Sequence, residues 1–348
     1  SLSGEHGDGR ARSELLPLMY SDQAIDLFAK VKGVFDPEDL LNPGVLVRPS
    51  AFDADLRGPE SAIGRLDQRL GLRLLHDSGD FGRAVHRCTG VGKCLADNHG
   101  SNGVMCPSFQ ATRNEKDSTR GRARVLQEMI DGRLVKGGWR APEVHEALDL
   151  CLSCKGCASD CPTGTDMATY KSEVLHQSYK GRLRPRSHYI LGRLPMWARL
   201  SSRIAWLANL GLSTPGVRSV ARWAAGVDQR RSLPTFARGS FSRWARRRPA
   251  VDAGGPRVLL WADSFTDFFS TDSGKSAVNV LEAAGYRVEF LARSACCGLT
   301  WITTGQLDKA REIVGEAVAQ LHPYVAEGVP VVGLEPSCLL TARDEFLV

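Results

Sequence analysis

The chain has 348 residues, 43% hydrophobic and 24% charged, with a formal net charge of +6. That length holds two or three domains with real cores, and no apolar run approaches the roughly 20 residues that span a bilayer, so no transmembrane helix is expected. The first residues, SLSGEHGDGR, lack the Met, basic start and apolar core of a secretory signal, and ten cysteines in such a chain argue for metal binding rather than a disulfide scaffold.

The end, TARDEFLV, carries no stop signal, so the chain reads as a fragment of a longer polypeptide. Residues 11–47 hold a helical pattern (Ala24, Leu27, Phe28, Val31) expected to end at Gly33, followed by the two Pro-containing turns of FDPEDLLNPG. Residues 51–79 are polar and weakly patterned, which suits a linker. From 80 to 185 cysteines alternate with helices: Ser118 or Thr119 caps RGRARVLQEMI, Pro142 opens EVHEALDLCL, and Asp166 caps MATYKSEVLHQSY.

Residues 186–254 form a basic strap. Between 181 and 250 fifteen arginines face one acid, Asp228, for a net +14, which leaves −8 for the rest of the chain. Trp197, Trp206, Trp223 and Trp244 interleave with the arginines, a composition that suits an anionic membrane surface or a linker docked on the acidic remainder. No nucleic-acid fold accompanies them, so no nucleic-acid partner is expected. From 255 onward RVLLWAD, YRVEFLA and VPVVGLE alternate with amphipathic stretches near 275–285 and 305–325, the pattern of βαβ units with a mainly parallel sheet. The fold class expected is α+β and multidomain, with 255–348 a truncated α/β domain.

LCLSCKGCASDCPTG has the spacing CxxCxxCxxxCP of bacterial ferredoxins, in which three cysteines hold one cubane and the fourth reaches a second cluster. Cys106-Pro107 resembles the distal Cys-Pro of a diverged second copy whose other members are Cys88 and Cys94, with Val91 where the middle cysteine would stand. By the crossing rule Cys106 joins Cys151, Cys154 and Cys157 around a 4Fe-4S cluster, and Cys161 joins Cys88 and Cys94. The latter site is one thiolate short, which fits a 3Fe-4S cluster or a nitrogen ligand from His86 or His99. Eleven residues separate Cys94 from Cys106 where three would be usual. Thiolate quartets also suit zinc, the competing reading.

SGEHGDGR and FDPEDLLNPG resemble the end of a vanillyl-alcohol-oxidase-type FAD domain over 1–50. MCPSFQATRNEKDSTRGRARVL, the ferredoxin motif and SHYILGRLPMWARL resemble the iron–sulfur extension of D-lactate and D-2-hydroxyglutarate dehydrogenases. SACCGLTWITTGQLDKAR and LEPSCLLTARDEF resemble the CCG cysteine-rich domain that ends those proteins.

The resemblance implies that His6 faces the flavin as general base, a role suited to imidazole. It also implies that Asn42 contacts FAD and that Glu5 corresponds to a carboxylate that binds a divalent metal in some relatives. Cys296, Cys297 and Cys338 are present, but DSFTDFF has no Cys where a cluster-binding relative places one. The function implied is an FAD- and iron–sulfur-dependent oxidation of a D-2-hydroxy acid, with electrons passed to an acceptor such as quinone. The alternative is an electron-transfer subunit like those of glycolate oxidase or anaerobic glycerol-3-phosphate dehydrogenase. The expected location is cytoplasmic, with the strap on the inner face of the cell membrane.

Overall fold

A computed structural model describes residues 6–54, 69–97, 103–249 and 254–347. Two compact units make up the chain, Ser1–Ser61 and Ala62–Val348.

In the first unit Ser21 caps the helix Asp22–Phe35. The helix passes through Gly33 instead of ending there, because its stop lies at Asp36. That carboxylate accepts from the Leu40 and Leu41 amides at 2.9 Å each and pairs with Lys32. The Lys32 ammonium, with those two amides, holds Asp36 down at about 2. Ser13 Oγ accepts from Leu46 N at 2.9 Å, which ties the following turns back to the start of the unit.

The second unit begins with the thiol-bearing helices. Ser118 caps Thr119–Asp131 by accepting from Gly121 N at 3.0 Å, and Gly132 ends it at φ +70°. Pro142 opens Pro142–Asp149, and Asp166 caps Met167–Ser178 through the Ala168 and Thr169 amides. Their apolar faces meet in one core that includes Leu126, Met129, Val144 and Val174. Residues 69–79 differ from the linker expectation. Glu173, fully buried, accepts from Gly71 N and Leu72 N at 3.0 Å and draws Leu72 and Leu74 inward. The rest of that stretch, 55–68, lies outside the described residues.

Three parallel strands, β1 (Arg257–Trp261), β2 (Arg287–Phe290) and β3 (Val331–Gly333), form a sheet in the order β2-β1-β3. The helices Thr271–Ala283 and Leu307–Ala326 fall on the two amphipathic stretches. The basic strap is helical over Leu194–Ser201, Ala205–Ser213, Pro215–Ala225 and Phe241–Arg247. Its last helix is part of the α/β core: Phe241, 1% exposed, packs with Leu260 and Val278. Ser242 N donates to Asp267 at 2.7 Å, Ala237 N donates to Phe268 O at 2.8 Å, and Arg248 pairs with Glu282. The α/β layer therefore starts near 237, before the expected boundary at 255. No described helix is long and apolar enough to cross a membrane.

The helical and α/β parts meet around Gly305, whose φ is +66° and where a Cβ would lie 2.5 Å from His176 N. Only glycine fits that approach. Arg184 donates to the Thr304 and Gly305 carbonyls at 2.7 Å each, and Gln306 Nε2 donates to His188 O at 2.9 Å.

Candidate iron–sulfur centres

The loop CLSCKGC winds tightly because Ser153 and Lys155 take left-handed conformations, with φ +54° and +57°. This brings Cys151, Cys154 and Cys157 together, Cys154 exposed and Cys157 buried. Cys157 Sγ accepts from Met167 N at 3.4 Å at the start of Met167–Ser178. Burial, with Cys151 and Cys154 close by, pushes the Cys157 thiol up to about 12 in the absence of a counter-ion. Lys171 Nζ donates to Cys151 O at 2.7 Å and steadies the loop's first residue.

A second group lies at the start of Thr119–Asp131. Cys106 Sγ accepts from Thr119 N at 2.9 Å and Cys94 Sγ accepts from Arg120 N at 3.3 Å, which sets the two thiols side by side at one helix start. Each thiol acts on the other: Cys106 lowers the Cys94 pKa, and Cys94 raises that of Cys106. Cys88 neighbours Cys94 and Cys161; burial raises its thiol while Gly90 N–H and Arg120 oppose the rise. Burial also raises Cys161, but bonds from Thr163 and Thr165 outweigh it and leave the pKa lowered.

Cys106, expected to join the cysteines of the CxxCxxC loop, also has Cys94 close by. Its sulfur lies on the Cys94 side because one helix N-terminus supplies amide donors to both. Its backbone still borders the other group: Asp160 accepts from Val104 N at 2.7 Å and Met105 N at 3.1 Å, and Gly156 passes so close to Val104 that a Cβ would crowd it.

Sulfurs that accept amide hydrogens at helix starts fit anionic thiolates, and such outer bonds tune bound clusters. Among the described residues no three His, Cys, Asp or Glu side chains converge closely enough to hold a single metal ion. Val91 is exposed, and His86 Nδ1 hydrogen-bonds Gly82 O in its own helix at 2.7 Å. His99 and Glu5 lie outside the described residues.

Sequence reasoning missed Lys155. Its Nζ lies 3.0 Å from Asp166, 2.6 Å from Asp344 and 3.2 Å from Glu345. Burial lowers its pKa, but the three carboxylates outweigh that and hold it above the ordinary lysine value. A lysine inside a cysteine motif gives no signal of a partner almost 190 positions away.

At the carboxyl ends of the strands Cys297 Sγ donates to Cys338 Sγ at 3.1 Å. A bond from Cys296 lowers Cys297, while Cys338 and burial prevail and push it up to about 12. Cys296, hydrogen-bonded to Cys297 and buried, is raised as well. Cys297 packs as a small apolar residue beside Leu259 and Ala317. In the first unit His6 is exposed, and Asn42, at φ +55°, lines a cavity of about 490 Å³ with Leu16, Phe28, Val31 and Lys32.

Three family models match the chain: FAD linked oxidases, C-terminal domain, over residues 1–46; 4Fe-4S dicluster domain over 83–165; and Cysteine-rich domain over 264–343. Together they support FAD and iron–sulfur clusters as cofactors. The chain is 29% identical to a D-2-hydroxyglutarate dehydrogenase of Pseudomonas putida over 99% of its own length and 38% of the relative's. It is 30% identical to one component of the anaerobic glycerol-3-phosphate dehydrogenase of Escherichia coli, covering 46% of this chain and 41% of that one. A probable glycolate oxidase iron-sulfur subunit of Bacillus subtilis is 22% identical over 75% of this chain and 59% of its own. The chain thus spans less than two-fifths of the D-2-hydroxyglutarate dehydrogenases to which it is homologous along its length. No solved structure matches it significantly.

Proposed function

We propose that this chain is the electron-conducting part of an FAD- and iron–sulfur-dependent D-2-hydroxyacid dehydrogenase of the D-2-hydroxyglutarate class. The observation that carries the reading is the pair of cysteine groups on one core, their sulfurs aimed at helix N-termini, in a chain that opens on an FAD-oxidase motif. When bound, the flavin takes a hydride as two electrons and the clusters pass electrons singly to an acceptor such as quinone. Cys88, Cys94, Cys106 and Cys161 hold one cluster, and Cys151, Cys154 and Cys157 hold the other with three thiolates. His6 removes the substrate hydroxyl proton, and Asn42 contacts the flavin. The fused FAD-oxidase end favours this reading over a separate electron-transfer subunit, because a bare carrier has no use for it.

The test uses the full-length parent with D-2-hydroxyglutarate and a one-electron dye. His6→Ala is expected to lower turnover about 10²–10⁴-fold with FAD retained; near-normal turnover removes His6 from the chemistry. Anaerobic iron and sulfide counts near four irons in place of two clusters' worth would remove one centre.

The same reading places the protein on the inner face of the cell membrane through the strap. Trp206 and Leu210 are exposed on Ala205–Ser213, and Val220 and Trp223 on Pro215–Ala225, which also carries Arg218 and Arg222. Flotation with anionic but not neutral vesicles is expected, and absence from both would assign the strap to the protein's own surface.

A further inference from the structure

Five exposed arginines line one cavity that the electron-transfer reading does not use. Arg199 and Arg203 come from the strap's first helices, Arg243 and Arg246 from Phe241–Arg247, and Arg293 from the turn after β2; together they line a cavity of about 240 Å³. Among the described residues none of the five guanidiniums reaches a carboxylate within ion-pair distance. The acid in the wall, Asp267, is 1% exposed and already accepts from Ser242 N. Elsewhere in this unit arginines do find partners, as Arg248 does with Glu282 and Arg257 with Glu289 and Glu327. Five cationic side chains lining one small basin make it a place of positive potential, which favours an anion.

Guanidinium forks match phosphate oxygens in geometry as well as charge. Ser240 and Ser242 hydroxyls in the same wall add neutral donors. The cavity lies beyond the carboxyl ends of β1 and β2, where open α/β sheets bind their ligands. A second cavity of about 420 Å³ shares Arg199, Phe268 and Ser294 with the first and continues past Met196 and Trp301 to Cys296. An anionic head therefore has an adjoining, partly apolar space for an organic body.

We propose that this basin binds the phosphoryl groups of a phosphorylated small molecule, with its organic part in the adjoining cavity. The assignment is independent of the cluster inventory and of the substrate. Titration calorimetry of the cluster-loaded full chain at low salt, with pyrophosphate and with ADP, tests it. Binding of both is expected, ADP more tightly. Arg243→Gln with Arg293→Gln should weaken it about tenfold or more, at unchanged iron content and circular dichroism. Arg182→Gln with Arg231→Gln, strap arginines outside the cavity, should leave it unchanged.

A parallel arm uses phosphatidic acid vesicles. Vesicle binding that pyrophosphate displaces and the Arg243/Arg293 pair abolishes would identify a lipid headgroup as the source of the same phosphate chemistry. No binding of pyrophosphate, ADP or vesicles overturns the proposal. So does equal weakening by both arginine pairs, since that would be the response of diffuse charge.

Discussion

Lys155 Nζ, in the middle of the CxxCxxC loop, lies 2.6 Å from Asp344 Oδ2 at the far end of the chain. Asp166, which caps the helix behind the loop, and Glu345 complete the cage around the ammonium. One side chain thus joins the cysteine loop, the helix start that donates to Cys157, and the last turn of the α/β layer. Geometry at the loop and docking of that layer are mechanically linked.

Replacing Lys155 by Met should separate them. Glu345, 8% exposed at its side chain, would be left with its charge uncompensated, while Asp344, half exposed, would relax into water. The expected loss is about 2–4 kcal/mol, below the full value for a wholly buried pair. It should appear as a lower denaturation midpoint, with partial recovery in Lys155→Arg. A midpoint within error of the parent would show that the cage holds nothing together.

The cysteine loop and its two helix starts were legible from the sequence because their signals are local: two-residue gaps, Cys-Pro pairs, and Ser or Asp ahead of an apolar period. The three strands were legible for the same reason. What was not legible depends on distance. Glu173 reaching back to Gly71, Phe241 entering the α/β core and Lys155 meeting Asp344 join residues far apart in the chain or across a change of composition. An arginine-rich stretch looks like a solvated strap until one knows that Phe241 and Ala245 face inward between the arginines. The shared helix start of Cys94 and Cys106 was hidden because motif spacing predicts ligands by rule, whereas the donors at Thr119 and Arg120 set where these sulfurs lie.

That shared helix start gives the second prediction. Cys106→Ser should remove the same paramagnetic signal as Cys94→Ser and leave the signal that Cys154→Ser removes. Anaerobic reconstitution and electron paramagnetic resonance of the three single variants read this directly. If Cys106→Ser instead matches Cys154→Ser, the crossing assignment holds and the Cys94 contact rearranges when iron binds.

The third prediction concerns the boundary of the α/β layer. Phe241→Ala empties a site that is 1% exposed and lined by Leu260, Val278 and Phe290, so it should cost about 3–5 kcal/mol. Phe236→Ala, outside that cluster, should cost less. A strap that merely connected two domains would tolerate both changes, and equal small effects in urea unfolding would restore that view.

The last prediction is a pH dependence at the junction between the helical and α/β parts. His188 stacks edge-on to Tyr179 at 5.5 Å, its Nδ1 is buried without a hydrogen-bond partner, and its carbonyl accepts from Gln306. Burial lowers its pKa first, and the nearby Arg184 and Lys171 charges lower it further, to about 4. The folded state therefore holds this imidazole neutral, while the unfolded chain protonates it near the ordinary histidine value of about 6.5. The contribution to stability is intact above that value. It declines as pH falls from about 6.5 towards 4, where the unfolded state binds the proton and the folded state does not, and it levels off below. Part of the ring is exposed, so the effect is moderated by solvent. His188→Asn should flatten this portion of the melting-temperature profile between about pH 7 and 4.5, and a variant profile parallel to the parent's would place the acid sensitivity elsewhere.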